Sequence, residues 1–388
     1  HKGKIDVIYI DPPYNTGNKD FKYNDSWVDS EDSYRHSKWL SFMEKRLRLA
    51  KSLLKDTGVI FISINEQEVC QLKLLCDEIF GEKNYLTMFT IKVRHEDRIL
   101  KGDKDIHEVT EYLLMYRRSD RHKTTKRIRD NTSIAEYIYD IKELTIASEK
   151  IQMGNKIVEV FKPSQYKVIK KEPNTALYKK INIRGSIKEG NSSGRFYMKY
   201  LEKLSNKQGY LYKVYGMGDD GKGYRYFLIP DSDKRVNGDY FQGVPQTRND
   251  KKEIPYPNYL DFEDEFNNVG YEGGIDFRNG KKPVDFIMKI LEIGGISNNK
   301  HAVILDFFAG SGTTGHAVLE LNKEDGGNRQ FILVTNNENN ICTDVCYPRI
   351  EKVIRGYTNL KGKNVEGLGG NLKYFKTDFV DIEPNDEN

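Results

Sequence analysis

Ile5-Asp6-Val7-Ile8-Tyr9-Ile10-Asp11-Pro12-Pro13-Tyr14 is a β-branched run that stops at two prolines. Residues 5–10 have the composition of a buried parallel strand. Neither Pro12 nor Pro13 offers an N–H, and each fixes φ at about −65°, so sheet pairing ends there. The chain must leave the sheet at its carboxyl edge in a stiff turn that presents a carboxylate, a backbone carbonyl and an aromatic face together. In open α/β sheets that edge is where ligands bind. Taken alone, the stretch also fits an ordinary strand closed by a proline turn. Tyr14, Asn15 and Gly17 favour a functional reading, and so does a second signature near the other end of the chain.

Downstream, Asn15 to Ser30 reads as a long polar surface loop. Trp39, Leu40, Phe42, Met43, Leu47, Leu49, Leu53 and Leu54 then recur at helical spacing, and Thr57-Gly58 closes that helix. Val59 to Ile64 is the next buried strand, and Glu66 to Phe80 a helix ended by Gly81. Tyr85 to Val93 and Val109 to Tyr116 are expected to form an antiparallel pair at the sheet's edge. The order is that of an α/β half-domain.

From Ser119 to Leu260 the pattern changes. Lys and Arg interleave with aromatics in Arg195 to Tyr200, Tyr210 to Tyr215 and Tyr224 to Phe227. Residues 119–260 hold 28 Lys+Arg against 17 Asp+Glu, a balance of +11 in a chain whose net charge is +4. Such a segment is a candidate polyanion-binding surface, whose aromatic faces either stack on bases or form the segment's own core. The expected division is 1–118, 119–260 and 261–388.

Leu260 to Gly280 reads as a loop back to the main domain, and Lys281-Lys282-Pro283 opens an amphipathic helix. Ala302 to Leu305 is a strand, followed by Asp306-Phe307-Phe308-Ala309-Gly310-Ser311-Gly312-Thr313-Thr314-Gly315. A helix over Ala317 to Leu321, a Gly326-Gly327 turn, a strand over Phe331 to Val334 and a helix around Tyr347 to Tyr357 complete this part. The tail beyond Lys376 is acidic and expected to fray.

Strand, Gly-x-Gly-x-x-Gly, helix is the shape of a nucleotide-type cofactor site, though a weak pattern by itself. Asp306 would meet a cationic ligand group and repel a pyrophosphate. His316 stands where a phosphate loop would have its lysine. A nicotinamide-dependent oxidoreductase using Gly310, Gly312 and Gly315 is an alternative, but it leaves Asp11 to Tyr14 and the basic segment unexplained.

Composition sets the remaining bounds. With 388 residues, 37% of them apolar and 31% charged, the chain has room for two or three domains of soluble type. No apolar run approaches the roughly 18 residues of a membrane span. Cys70, Cys76, Cys342 and Cys346 lack zinc-site spacing and read as reduced thiols of a cytoplasmic protein. His1-Lys2-Gly3-Lys4 provides neither an initiator Met nor a signal region, so the natural start is expected to lie upstream.

Asp306-x-Phe308-x-Gly310-x-Gly312 resembles the cofactor motif of S-adenosylmethionine-dependent DNA amino-methyltransferases, and Asp11-Pro12-Pro13-Tyr14 resembles their catalytic motif. Catalytic motif first, cofactor motif last and a basic insert between is similar to the circularly permuted beta class. Ile5 to Gly17, Asn191 to Gly194, Gly270 to Pro283 and Gly367 to Thr377 look like the modification subunit of type III restriction-modification systems. The resemblance implies a Rossmann-like α/β fold with a permuted, mostly parallel sheet and an inserted mixed α+β target-recognition domain. It implies transfer of a methyl group from S-adenosylmethionine to the N6 amine of a flipped adenine in duplex DNA. Asp11, Pro12, Pro13 and Tyr14 would be catalytic. Asp306, Phe308, Gly310, Gly312 and Thr313 would line the cofactor pocket, with Lys282 near the methionine carboxylate. The ribose partner is open within Thr335 to Glu338, and Asn336 is taken as its candidate. The implied partners are a second copy and an ATP-dependent helicase-endonuclease subunit. Cytosine N4, an RNA target and a non-catalytic DNA-binding subunit are the competing readings.

Overall fold

The computed structural model describes residues 1–17, 22–23, 26–97, 105–130, 133–184, 188, 190–204, 206–230, 237–247, 251–277, 280–359 and 362–378. The chain forms two compact units, His1–Lys126 with Pro255–Asn388, and Arg127–Ile254.

The larger unit is built on one seven-stranded sheet. Its strands are β1 (Ile5–Ile10), β2 (Leu54–Ile64), β3 (Tyr85–Lys92), β4 (Thr110–Arg117), β5 (Tyr259–Asp261), β6 (Val303–Asp306) and β7 (Gln330–Leu333), in the spatial order β5-β3-β4-β2-β1-β6-β7. Every pair is parallel except the two that β4 makes, with β2 and β3. The first strand of the chain thus lies beside β6, with Val7 opposite Ile304 and Ile8 opposite Leu305. The fold is α/β with a mostly parallel sheet whose chain order is permuted.

Alternation along the strands divides the core into two layers. Val7 and Tyr9 of β1 and Val59 and Phe61 of β2 point to one face, under helix α3 (Val284–Ile293) and the start of α4 (Thr313–Asp325). Ile8 and Ile10 with Ile60 and Ile62 point to the other, under α1 (Arg35–Leu53) and α2 (Val69–Phe80). Helix α5 (Tyr347–Arg355) buries Ile350 and Val353 beside Leu319.

Four sequence expectations change here. Helix α1 ends at Leu53, and Thr57-Gly58, expected to close it, lies inside β2. The β3–β4 pair is antiparallel but not at the edge, because Tyr259–Asp261 adds outside β3, with Leu260 opposite Ile91. That short strand and a helix over Glu263–Asn268 replace much of the loop expected from Leu260 to Gly280. The helix expected over Ala317 to Leu321 begins at Thr313 and runs to Asp325. In the loop after Tyr14, Lys22–Tyr23 pairs with Ser26–Trp27, and the rest of 18–25 lies outside the described residues. So does the tail beyond residue 378.

The smaller unit is a six-stranded sheet of antiparallel pairs with a short helix at Ser192–Phe196. Its first and last strands, Arg127–Asp130 and Lys251–Ile254, pair with each other. The unit is narrower than 119–260, since Thr125 bonds to Ile293 and Leu260 belongs to the main sheet. Its aromatic residues are largely internal. Tyr197, Tyr212, Phe227 and Tyr240 form one cluster, and Phe161, Tyr226 and Phe241 another. Of the two roles open to these rings, core packing is the one seen. Among the described residues no helix is long and apolar enough to cross a membrane.

Candidate active site

The turn after β1 is held from three sides. Trp39 is fully buried in α1 and donates its indole N–H to the Pro13 carbonyl at 2.7 Å. Asn15, expected on the surface, is buried with φ at +59°, a left-handed conformation that Asn tolerates better than most residues. Its amide donates to Glu68 Oε1 at 2.5 Å and to the Arg35 carbonyl at 3.3 Å, and His36 Nδ1 lies 2.7 Å from the same Glu68 oxygen. The Asx geometry that suits a loop is used here to lock the residue after the tetrapeptide.

The third brace is a charged one. The Tyr14 hydroxyl lies 2.8 Å from Asp11 Oδ1 and 3.0 Å from Glu111 Oε2. Lys282 Nζ donates to that hydroxyl at 2.7 Å and to Glu111 Oε2 at 2.7 Å, and pairs with Asp11 Oδ1 at 3.4 Å. Burial pushes the Asp11 carboxyl up; Lys282 opposes this and Glu111 adds to it. Burial acts to raise Glu111, but the Lys282 charge, the hydrogen bonds from Lys282 and Tyr14 and the Arg94 charge together outweigh it and hold Glu111 below the usual range. The structure therefore places Lys282 under the Asp-Pro-Pro-Tyr turn. Among the described residues both contacts on Asp11 fall on Oδ1, so Oδ2 and the Pro12 carbonyl stay outside this network.

The turn after β6 differs in its charge. Asp306 is buried and accepts from the Phe308 N–H at 3.0 Å and the Thr314 hydroxyl at 2.6 Å. It forms no ion pair among the described residues. Burial pushes its carboxyl up to about 7; the two bonds oppose the rise and the Asp11 charge adds to it. A buried carboxylate with donors but no cation is suited to a cationic ligand group.

The glycines of this turn divide their roles. Gly310, at φ +50°, faces open space, with nothing nearer a built Cβ than the Phe308 carbonyl at 3.8 Å. A Cβ on Gly312 would stand 3.0 Å from Cys346 Sγ, and one on Gly315 2.9 Å from Ile350 Cδ1. These two let α5 close on α4, while Gly310 leaves room for a ligand. Phe308 packs on Phe42 of α1 with ring centroids 5.9 Å apart. Thr313 is buried, and its hydroxyl accepts from Arg349 at 2.7 Å. Asn336 is exposed beyond β7, with its amide 3.4 Å from Glu338.

Sequence reasoning missed Glu111, Trp39, Glu68 and Arg349. Arg349 is fully buried, bonds Ser311 Oγ at 3.1 Å and lies 3.6 Å from Glu272 Oε2. A signal existed for two of them. Arg349 interrupts the apolar stripe Cys346, Ile350, Val353, and Glu111 interrupts an apolar strand.

A family described as DNA methylase matches residues 5–345. The Mod subunit of the type III restriction-modification enzyme StyLTI of Salmonella typhimurium is 33% identical over 90% of this chain and 52% of its own length. The type II methyltransferase M.KpnI of Klebsiella pneumoniae is 29% identical over 97% of this chain and 86% of its own. The chain spans about half the length of the type III relatives it matches. Among solved structures, the cytosine-N4-specific PvuII DNA methyltransferase aligns with a TM-score of 0.40 and 9% identity, over 90% of this chain and 80% of that one.

Proposed function

The chain belongs to the DNA methylase family, and from that premise we propose that it methylates the N6 amine of adenine in duplex DNA, using S-adenosylmethionine. The observation that carries this reading is the pair of turns on adjacent parallel strands. Among the described residues, one holds a carboxylate with an unengaged oxygen and the other a buried carboxylate that lacks a cation. S-adenosylmethionine, when bound, supplies an electrophilic methyl group on a positively charged sulfur.

An exocyclic amine is a poor nucleophile because its lone pair is delocalised into the ring. Asp11 Oδ2 and the Pro12 carbonyl accept its two N–H bonds, which favours a pyramidal nitrogen with its lone pair free to attack. Asp11 then takes the proton the nitrogen gives up. Tyr14, whose hydroxyl is fixed by Asp11, Glu111 and Lys282, offers its ring to the base. Asp306 would meet the cofactor's ammonium, Gly310 would give the close approach, Phe308 would line the pocket and Asn336 would be the candidate ribose partner. Placement and charge do the work without a covalent enzyme intermediate. The target base is out of reach inside a duplex, so it is flipped into the site.

The basic unit Arg127–Ile254 is the target-recognition insert in this reading. Its tyrosines being largely internal, lysines and arginines provide the DNA contacts, and binding weakens steeply with salt. The type III Mod relatives suggest a cytoplasmic restriction-modification system. The partners proposed are a second copy of the chain and an ATP-dependent restriction subunit. The test incubates the protein with methyl-labelled cofactor and duplex DNA and identifies the product nucleoside by mass spectrometry. N6-methyldeoxyadenosine is expected; N4-methyldeoxycytidine alone, or no label in DNA, contradicts the reading.

A further inference from the structure

Three segments distant in sequence meet at the Tyr14 hydroxyl: the turn after β1, the start of β4 and the Lys281-Lys282-Pro283 turn. Topology explains why β4 reaches this point. It is the one reversed strand of the sheet, with Tyr112 opposite Ile64 and Arg117 opposite Val59. Its beginning, where Glu111 lies, therefore sits beside the carboxyl end of β2, at the edge from which Asp11 also emerges.

The hydrogen-bond count is constrained. Lys282 only donates, so at 2.7 Å it donates a hydrogen bond to the phenol oxygen, and Tyr14 has one O–H for two carboxylates. Glu111 Oε2 accepts from Lys282 in addition. The resulting unit holds two carboxylates and one ammonium, with Arg94 4.0 Å from the other Glu111 oxygen. Resting on the methyl-transfer reading above, we propose that Glu111 is a positioning residue for that reaction. Through Lys282 and Tyr14 it keeps Asp11 Oδ1 engaged and Oδ2 turned to the base, and Lys282 serves this unit, not the cofactor's carboxylate.

The groups facing Asp11 are Lys282, Glu111, Tyr14, Tyr9 and Asp306; those facing Glu111 are Lys282, Tyr14, Arg94, Asp11 and Tyr9. Asp11 has to be ionised to take the proton that the nitrogen gives up, so the unit sets the acid limb of the pH profile. Removing the Glu111 charge makes Asp11 easier to ionise, and removing the Lys282 charge makes it harder.

The experiment measures kcat/KM for DNA against pH, single-turnover transfer and cofactor affinity in the full chain. Glu111→Gln is expected to move the acid limb down by roughly one pH unit, and Lys282→Met to move it up by about one or more. Glu111→Ala is expected to slow transfer by ~10–100-fold with cofactor affinity within ~2-fold, and Glu111→Gln to recover most of that rate. If Glu111→Ala does not fold, the opposed shifts of the other two variants still decide. An acid limb unmoved in both, or Lys282→Met weakening cofactor binding about tenfold with the limb in place, overturns the inference. Wild-type protein and Asp11→Ala run beside them: transfer by the first and none by the second preserve the catalytic reading whatever the Glu111 variants do. Transfer retained in Asp11→Ala removes that reading and this inference together.

Discussion

The turns after β1 and β6 leave neighbouring parallel strands, and each carries an aspartate, partly buried in the first and buried in the second, yet among the described residues only the first has a cation beside it. Asp11 shares Lys282 with Glu111, whereas among the described residues Asp306 has only a hydroxyl and an amide. The first turn has a cation shared between its carboxylates and offers hydrogen-bond acceptors to a neutral amine. The second is short of one positive charge, and a cationic ligand meets that need. Two similar carboxylates are thus given different work by their neighbours, as is usual where environments push pKa values apart.

The strongest way to break this contrast is to remove what holds the second turn. Arg349→Met takes a buried guanidinium from Ser311, Thr313 and Glu272, and is expected to cost about 3 kcal/mol of stability. Denaturant unfolding of the variant measures it. A loss too small to detect would mean that the turn holds its shape without Arg349.

Asp306→Ala acts on the ligand and not on the frame. It is expected to weaken S-adenosylmethionine binding by ~30-fold, about 2 kcal/mol, by calorimetric titration. The pH dependence sharpens the same point. The ionised carboxylate is the form that attracts a cation, so affinity rises with pH until the carboxyl has titrated near about 7, and levels off above. Asp306→Asn should flatten that profile. Stability of the free protein carries the opposite sign. With its folded value raised from 3.8 to about 7, this group binds more proton folded than unfolded, so its contribution is lost as pH climbs through that window. Asp306→Asn is therefore expected to raise the melting temperature of the free protein at pH 8.

The smallest effect belongs to the first turn's own brace. Trp39→Phe keeps most of the apolar bulk and leaves the Pro13 carbonyl without its donor, at a cost of about 1 kcal/mol in urea unfolding. A much larger loss would mark the indole as packing and not merely as a hydrogen-bond donor.

Much of this contrast was legible in the sequence because it rests on local features. A β-branched run ending in two prolines gives β1 and its turn, and a strand followed by Gly-x-Gly-x-x-Gly gives β6 and α4. Both aspartates stand at strand ends, where chain order alone marks them. The charge balance was not legible, because Glu111 reaches Asp11 through the reversal of β4 and Lys282 through a return across most of the chain. Strand direction is a property of sheet pairing and leaves little trace in a single strand's residues. Asn15 misled for a related reason: its polarity suits a surface, but a buried Glu68 accepts its amide. The tyrosines of the smaller unit show the limit of composition, since the same rings serve a core or a base stack until their neighbours are known.

The division of labour between the two turns is tested most directly by single-turnover transfer from labelled S-adenosylmethionine to duplex DNA in Asp11→Ala at saturating cofactor. The account predicts cofactor affinity within about threefold of wild type and a transfer rate at least ~10³-fold lower, some 4 kcal/mol of barrier. Transfer at a rate near wild type, or a loss traced wholly to failed cofactor binding, would contradict it.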